Sequence, residues 1–161
     1  MEGLSNIYIY KTLKKDIQCS DAFIGVYSSD NLDIQKCSEQ ENFIAICNLS
    51  KQSNVGTHFV TIVGTKQEIL YCDSFALPYT TSESLFSSLK QIPRRKITAL
   101  FKTPIQSTFS EYCGFFCILF TCLFDIQRFP IIDNLKPFNT RILNDNDKIC
   151  IDNIKMLIKQ N

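Results

Sequence analysis

The chain has 161 residues, 45% of them hydrophobic and 20% charged, which is enough to bury one core and leaves no length for a second. We therefore expect residues 1–161 to form a single domain. A formal net charge of +1 supplies no long-range field to recruit nucleic acid or an anionic membrane. Segment 1–16 lacks the apolar stretch of a secretory signal, so the eight cysteines are expected to be reduced thiols in a reducing compartment.

Hydrophobic patterning predicts an α+β fold with the following elements. In chain order they are a short helix over 5–15, an extended segment over 23–27, a buried strand over 43–47, a loop over 48–57, a hairpin of strands 58–63 and 68–73, a short helix over 82–91, a strand over 97–101, a buried helix from Tyr112 onward and an amphipathic helix over 146–159. The apolar run 112–124 is too short to cross a bilayer, which needs about 20 residues. We expect a small mixed or antiparallel sheet packed on this buried helix.

His58 is the only histidine, so any imidazole chemistry must use it. If the predicted hairpin closes symmetrically on residues 64–67, His58 lies directly opposite Asp73 and on the same face of the sheet. A carboxylate there would fix the imidazole tautomer and raise the basicity of the other ring nitrogen. The alternative is a cross-strand polar pair that contributes little to stability.

Cys113 is predicted to begin the buried helix. There, unpaired backbone N–H groups and the positive end of the helix dipole favour a thiolate, as a nucleophile requires. Gly114 would let a substrate backbone approach and would leave the Cys113 amide free to donate to an oxyanion. The alternative is a buried structural cysteine like Cys117 and Cys122. These three cysteines form no C-x-x-C pair and lie in an apolar run, so we expect no metal.

The order of His58, Asp73, Gln106 and Cys113 resembles the adenovirus protease (adenain) family, which belongs to the same clan as the ubiquitin-like-protein-specific cysteine proteases. The resemblance is carried by three segments: Gly-Thr-His-Phe at 56–59, Leu-Tyr-Cys-Asp-Ser-Phe at 70–75, and the spacing Gln-x6-Cys-Gly-x-Phe-Cys from Gln106 to Cys117. It covers most of the chain, from about residue 16 to 124. Papain-like enzymes place the cysteine first, which excludes them.

The resemblance implies a role for each of these four residues. Cys113 would be the nucleophile, His58 its base and Asp73 the residue that orients the imidazole, while Gln106 would donate to the oxyanion beside the Cys113 amide. Three further residues are expected to contact substrate: Gly25, Phe59 and Gly114.

The function implied by the resemblance is that of a viral or virus-derived cysteine endopeptidase. Such an enzyme processes capsid or core precursors during virion maturation, in the host nucleus or the assembling particle, after small or glycine-containing motifs. Adenovirus enzymes usually use Glu as the acid whereas the ubiquitin-like-protein proteases use Asp, so Asp73 keeps open a protease acting on ubiquitin-like modifiers. A non-catalytic scaffold of the same fold is the third hypothesis.

Activation is where the sequence departs from the family. Adenovirus enzymes are stimulated by DNA and by a peptide tethered through a disulfide, and the matching cysteine is replaced here by Lys96. We therefore expect no cofactor and, at most, an activating peptide that binds non-covalently. The basic cluster Arg94-Arg95-Lys96 predicts weak, salt-dependent DNA binding or simply a solvated turn.

Overall fold

A five-stranded mixed sheet with helices defines an α+β fold. The computed structural model describes residues 4–52, 58–126, 138 and 141–159. Its elements are α1 (Asn6–Lys11) followed by a π-helical turn (Thr12–Asp16), β1 (Phe23–Ser28), α2 (Ile34–Glu39), β2 (Phe43–Asn48), β3 (Phe59–Gly64), β4 (Glu68–Cys72), α3 (Glu83–Leu89), β5 (Lys96–Ala99), α4 (Cys113–Ile126) and α5 (Leu143–Lys159). Except for α2, these are the helices and strands predicted from the sequence. The second half of the predicted loop, 53–57, lies outside the described residues.

The strands lie in the order β1-β2-β3-β4-β5. The central pairs β2–β3 and β3–β4 are antiparallel, whereas β1 is parallel to β2 and β5 is parallel to β4. A parallel neighbour needs a crossover connection, and α2 and α3 lie in the two crossovers. As a result β1 and β5 form the two edges of the sheet.

Both faces of the sheet are covered. Along β2, Ile44 and Ile46 join one apolar cluster with α1, α4 and α5, while Phe43 and Cys47 join a second with α2 and α3. The alternation follows from successive strand side chains pointing to opposite faces. The sequence predicted a sheet packed on one buried helix, which describes only one of its faces. Helices α2 and α3 cover the other face.

The short helices begin at side chains that accept backbone N–H bonds. Ser82 Oγ accepts from the Leu85 amide at 3.4 Å at the start of α3, and Asp33 Oδ1 accepts from the Lys36 amide at 3.0 Å at the start of α2. Helix α2 has only six residues and buries only Cys37. Its apolar pattern is too short to show a helical period, which explains why the sequence did not predict it.

The β3–β4 hairpin has a different register from the predicted one. Gly64 pairs with Ile69 in the ladder. The Thr65 amide donates to the Glu68 carbonyl at 2.8 Å, and the Thr65 hydroxyl accepts from the Glu68 amide at 3.2 Å. Lys66 and Gln67 are therefore the two turn residues. The prediction that His58 lies directly opposite Asp73 in the ladder is therefore wrong by two residues. A shift by an even number keeps every side chain on its predicted face.

Helix α4 packs on β3 and β2. Phe116, Ile118 and Phe120 are almost fully buried, and the Thr61 hydroxyl of β3 donates to the Cys117 carbonyl at 3.4 Å. The start of α4 is thereby fixed relative to the start of β3. Within the described ranges, no helix is long and apolar enough to cross a membrane.

The basic cluster forms the turn before β5. Arg95 points inward: its guanidinium donates to the Gln40 carbonyl at 2.6 Å and lies 5.4 Å from the centre of the Phe43 ring. Arg94 and Lys96 are exposed. Because Arg95 is committed to the protein's own backbone, only two of the three basic side chains face solvent, which favours the interpretation as a turn.

Candidate active site

His58 and Asp73 meet where β3 begins and β4 ends. His58 immediately precedes β3 and Asp73 immediately follows β4, and these strands are antiparallel, so both residues lie at the same end. The His58 carbonyl accepts from the Leu49 amide at 2.8 Å, which ties it to the end of β2. Strand geometry, rather than direct cross-strand pairing, brings the two side chains together.

The two side chains form a buried hydrogen-bonded pair. His58 Nε2 lies 2.8 Å from Asp73 Oδ1, and the residues are only 7% and 1% exposed. Asp73 Oδ1 also accepts from the Phe75 amide at 2.8 Å, and the Phe75 ring stacks on the imidazole with its centroid 4.9 Å away. The carboxylate and the ring are therefore both held in one orientation.

The other ring nitrogen, Nδ1, is buried and has no hydrogen-bond partner among the described residues. With Nε2–H donated to Asp73, neutral His58 presents Nδ1 as a proton acceptor. Cys113 is the second group whose interaction with the ring raises the pKa of His58.

The pKa of His58 reflects opposing effects. Burial lowers it, but hydrogen bonding and charge from Asp73 and Cys113 outweigh burial and raise it from 6.5 to about 9. An imidazolium is thus favoured beside two groups that carry negative charge when ionised. The site stabilises a proton on the imidazole through neutral pH.

Cys113 is the first residue of α4 and is 9% exposed. Its neighbour one turn on, Cys117, is 1% exposed, and burial raises the pKa of that thiol well above its usual range. All eight cysteines are free and buried in the structure. Cys113 and Cys19 have the largest exposure among them, so position and burial distinguish Cys113 from the other cysteines of its helix.

Gln106 is fully buried beside the residue that follows Asp73. Its Oε1 accepts from the Ser74 hydroxyl at 2.5 Å, and its backbone amide donates to the Ser74 carbonyl at 3.1 Å. Its Nε2 donates to the Ser110 carbonyl at 2.8 Å and to the Ser110 hydroxyl at 3.1 Å. Both Nε2 hydrogens are therefore engaged by Ser110, and no direct contact between Gln106 and Cys113 is seen in the described part of the chain.

Helix α5 holds the segment that leads to Cys113. Asn146 Nδ2 donates to the Ile105 carbonyl at 2.8 Å, and Asp147 Oδ1 accepts from the Ser107 amide at 3.3 Å. Both α5 side chains are at least 95% buried. These contacts join residues about 40 positions apart, and nothing in the local sequence signals them.

Gly25 and Phe59, which were expected to contact substrate, have structural environments of their own in the fold. Gly25 lies at an irregularity in β1 with φ of +146°, where a Cβ would come within 3.1 Å of the Tyr27 hydroxyl. Phe59 is 6% exposed and belongs to the core between the sheet and α4. The backbone conformation at position 25 explains why glycine is found there, and core packing explains the aromatic residue at position 59.

Gly114 is covered by the chain's own N-terminal segment. A Cβ at this position would meet Leu4 Cβ at 3.1 Å and Ile9 Cδ1 at 3.2 Å. The space in the Cβ direction of Gly114 is therefore filled by Leu4 and Ile9. Gly114 permits close packing of α1 on α4.

Three residues of the site were not predicted from the sequence: Ser74, Ser110 and Asp147. Ser74 directly follows Asp73, so its nearness to the acid was visible in the sequence although its bond to Gln106 was not. Gly56 and Thr57, which belong to the motif around His58, lie outside the described residues. Across the described ranges, no three His, Cys, Asp or Glu side chains converge in a way that could hold a metal ion.

Comparison of the chain with protein-family models and with curated proteins finds no match.

Proposed function

We propose that the protein is a cysteine endopeptidase with Cys113 as nucleophile. The observation that carries the proposal is the buried His58–Asp73 pair, whose Nδ1 has no hydrogen-bond partner among the described residues and whose pKa is raised by Cys113 as well as by Asp73. An oriented imidazole with one free nitrogen, next to a thiol at a helix start, is the arrangement that thiol activation requires. Helix α4 would then be the element that carries the nucleophile at its N-terminus.

The reaction would proceed by acyl transfer. The proton of the Cys113 thiol would reside on His58 Nδ1, in keeping with the raised pKa of the ring, and the thiolate sulfur would attack the carbonyl carbon of the scissile amide. The resulting oxyanion would accept hydrogen bonds from the Cys113 amide and from Gln106 Nε2. His58 returns the proton to the leaving amine as the C–N bond breaks, and water then hydrolyses the thioester on Cys113.

The use of Gln106 in this scheme requires one exchange of partners. Its Nε2 donates to the Ser110 hydroxyl at 3.1 Å, which is longer than its 2.8 Å bond to the Ser110 carbonyl. The longer bond is the one an oxyanion would replace, because a charged acceptor makes a shorter and stronger bond than a hydroxyl. The Ser110 carbonyl would continue to hold the carboxamide in place.

The substrate proposal rests on the resemblance to adenovirus proteases. It assigns the protein to processing of viral capsid or core precursors, in the nucleus or the assembling particle. One observation favours the second candidate, a protease for ubiquitin-like modifiers: the residue bonded to His58 is Asp73, the acid those enzymes use, and not the Glu usual in adenovirus enzymes. Both candidates share the same chemistry at Cys113.

Digestion of two substrate panels tests the proposal. Purified protein is incubated with viral precursor proteins and, separately, with conjugates of ubiquitin-like modifiers, and products are identified by mass spectrometry. We expect cleavage of precursors that is lost in Cys113→Ala and retained in Cys37→Ala, which changes a buried cysteine of α2 in the cluster on the other face of the sheet. Cleavage of the conjugates alone would select the second candidate.

The scaffold hypothesis makes the opposite prediction for the same digests. If neither panel is cleaved and iodoacetamide labels Cys113 no faster than Cys117, the proposal of catalysis is wrong.

An activating peptide would bind at a sheet edge without a covalent tether. Strand β5 pairs with β4 on one side and forms an edge of the sheet, and Lys96 at its start supplies no thiol. Main-chain hydrogen bonds to an edge strand are sufficient for peptide addition. Any stimulation by peptide should therefore survive a strong reductant, and a disulfide adduct found by mass spectrometry would show that a cysteine elsewhere provides the tether.

A further inference from the structure

Asp147 is a buried carboxylate whose bonds go to the segment before the nucleophile. It is 5% exposed and lies in the second turn of α5. Burial raises the pKa of its carboxyl, and hydrogen bonds from the Ser110 hydroxyl and the Ser107 amide partly offset that effect. A buried carboxylate is costly unless it is hydrogen-bonded, so its placement against this one loop requires an explanation.

Ser110 links Asp147 to Gln106. Its amide and its hydroxyl both lie within hydrogen-bond distance of the Ser107 carbonyl, at 3.1 and 3.0 Å, and its carbonyl and hydroxyl accept both hydrogens of Gln106 Nε2. Since Asp147 accepts from the Ser107 amide at 3.3 Å, it fixes the start of this turn, and the Ser107 carbonyl in turn holds Ser110. The position of the Gln106 amide nitrogen therefore depends on the turn that Asp147 anchors at Ser107.

We propose that Asp147 is a positioning residue for the Gln106 carboxamide, acting through the turn Ser107–Ser110. The inference rests on the proposed function, in which Gln106 donates to the oxyanion. An oxyanion donor is effective only when it is held close to the geometry the transition state needs, and a primary amide on a flexible side chain does not hold that geometry by itself. Ser74 fixes Oε1, and the turn anchored by Asp147 fixes Nε2.

Asp147→Ala should lower kcat about tenfold with KM changed less than twofold, because loss of its hydrogen bond to the turn reduces stabilisation of the transition state by about 1.4 kcal/mol. Asp147→Asn keeps an acceptor for the Ser107 amide, so its kcat should fall only about threefold. Asp152→Ala changes an exposed carboxylate of the same helix and should leave kcat unchanged. The assay uses a coumarin-amide peptide ending in Gly-Gly or a precursor cleaved by the parent protein.

Two further readouts separate positioning from general damage. Iodoacetamide alkylation of Cys113 forms no oxyanion, so its rate should stay within twofold of the parent in Asp147→Ala. Gln106→Ala should lower kcat by about 10² to 10³, and adding Asp147→Ala to it should cause no further loss, since the two act through one group.

Three results would overturn the inference: a folded Asp147→Ala with the kcat of the parent, equal losses in kcat and in alkylation rate, or full additivity with Gln106→Ala. If Asp147→Ala does not fold, Asp147→Asn and Ser110→Ala are judged by the same readouts. A parent protein that cleaves nothing would contradict the proposed function itself, and the inference with it. A parent that cleaves but is indifferent to Asp147 contradicts the inference alone.

Discussion

His58 is hydrogen-bonded at only one ring nitrogen among the described residues. The difference between the two ring nitrogens leads us to expect a reactive thiol at Cys113. Asp73 occupies Nε2, which leaves Nδ1 without a hydrogen-bond partner in the described part of the chain. We predict that iodoacetamide at neutral pH labels Cys113 at least ten times faster than Cys117. Cys117 is 1% exposed and its raised pKa keeps it protonated, whereas Cys113 is 9% exposed and has a base beside it.

Peptide mapping of the labelled protein measures the rate at each cysteine. His58→Ala should slow labelling of Cys113 about tenfold or more, and Cys19→Ala, which removes the other 9% exposed thiol, should leave it unchanged. Equal rates at Cys113 and Cys117 would contradict the assignment of the nucleophile.

The raised pKa of His58 also predicts how stability depends on pH. The folded protein holds the imidazolium to about pH 9, whereas the unfolded chain releases the proton near pH 6.5. The contribution of the charged ring is therefore complete below pH 6.5 and is lost as pH rises through 9. The shift sets an upper limit of about 3 kcal/mol on this contribution.

Urea unfolding of the parent and of His58→Gln across pH 6 to about 10 tests this prediction. The difference in unfolding free energy between the two proteins should be largest at the acid end of that range and should decrease through the window from 6.5 to about 9. A difference that does not change with pH would show that the pair with Asp73 does not favour the charged imidazole.

Within the sheet, Gly64 is required by the aromatic residue paired with it. Gly64 lies opposite Phe43 in the β2–β3 ladder, and a Cβ on Gly64 would come within 2.0 Å of a carbon of that fully buried ring. We predict that Gly64→Ala destabilises the protein by about 3 kcal/mol, since overpacking forces the ring out of its position. The loss measured by urea unfolding should be smaller in a Phe43→Leu background.

Equal losses in the two backgrounds would contradict the steric explanation for Gly64 and would point to strand backbone conformation instead. Gly64 and Phe43 are close enough that their effects on the free energy of unfolding should be measurably non-additive.

The elements were predictable where each one carries its own signal. Strand β2 is buried at every position and α4 is apolar on every side, so local composition alone predicts both. Helix α2 depends on one cap and one buried cysteine, and this signal is too weak to detect. The pairing of His58 with Asp73 was expected from a register that is wrong by two residues, and the contact exists because an even shift preserves the face.

The site was predictable only where its residues lie at element ends. His58, Asp73 and Cys113 each begin or follow an element that the sequence indicates. By contrast, the contact of Asp147 with the Ser107–Ser110 turn depends on how α5 packs on the rest of the molecule. The requirement for glycine at position 114 depends on where Leu4 lies. Such contacts are set by tertiary packing, which local propensity does not encode.

Across the whole molecule, the N-terminal segment and α4 are coupled at Gly114. Ala is favoured over Gly inside a helix by up to about 1 kcal/mol, but here a Cβ would press on Leu4 and Ile9. We predict that Gly114→Ala leaves stability nearly unchanged in the parent and stabilises a Leu4→Gly variant, which lacks the Leu4 Cβ, by about 1 kcal/mol. A four-protein cycle of urea unfolding measures the coupling. The same effect of Gly114→Ala in both backgrounds would contradict the packing of Leu4 on α4.

The eight buried thiols have a consequence for what happens after the molecule unfolds. In the folded chain, packing shields them, and all eight are free. In the unfolded chain every one is exposed, and eight cysteines can be joined in about 105 ways, so air oxidation would trap chains with cross-links incompatible with this core. Repeated thermal scans should therefore recover the transition in dithiothreitol and lose it without reductant, even though the folded protein itself is indifferent to the reductant. A transition recovered equally well in both buffers would show that the chain refolds faster than its thiols oxidise. Reductant would thus act on the protein's kinetic lifetime and leave its equilibrium stability untouched.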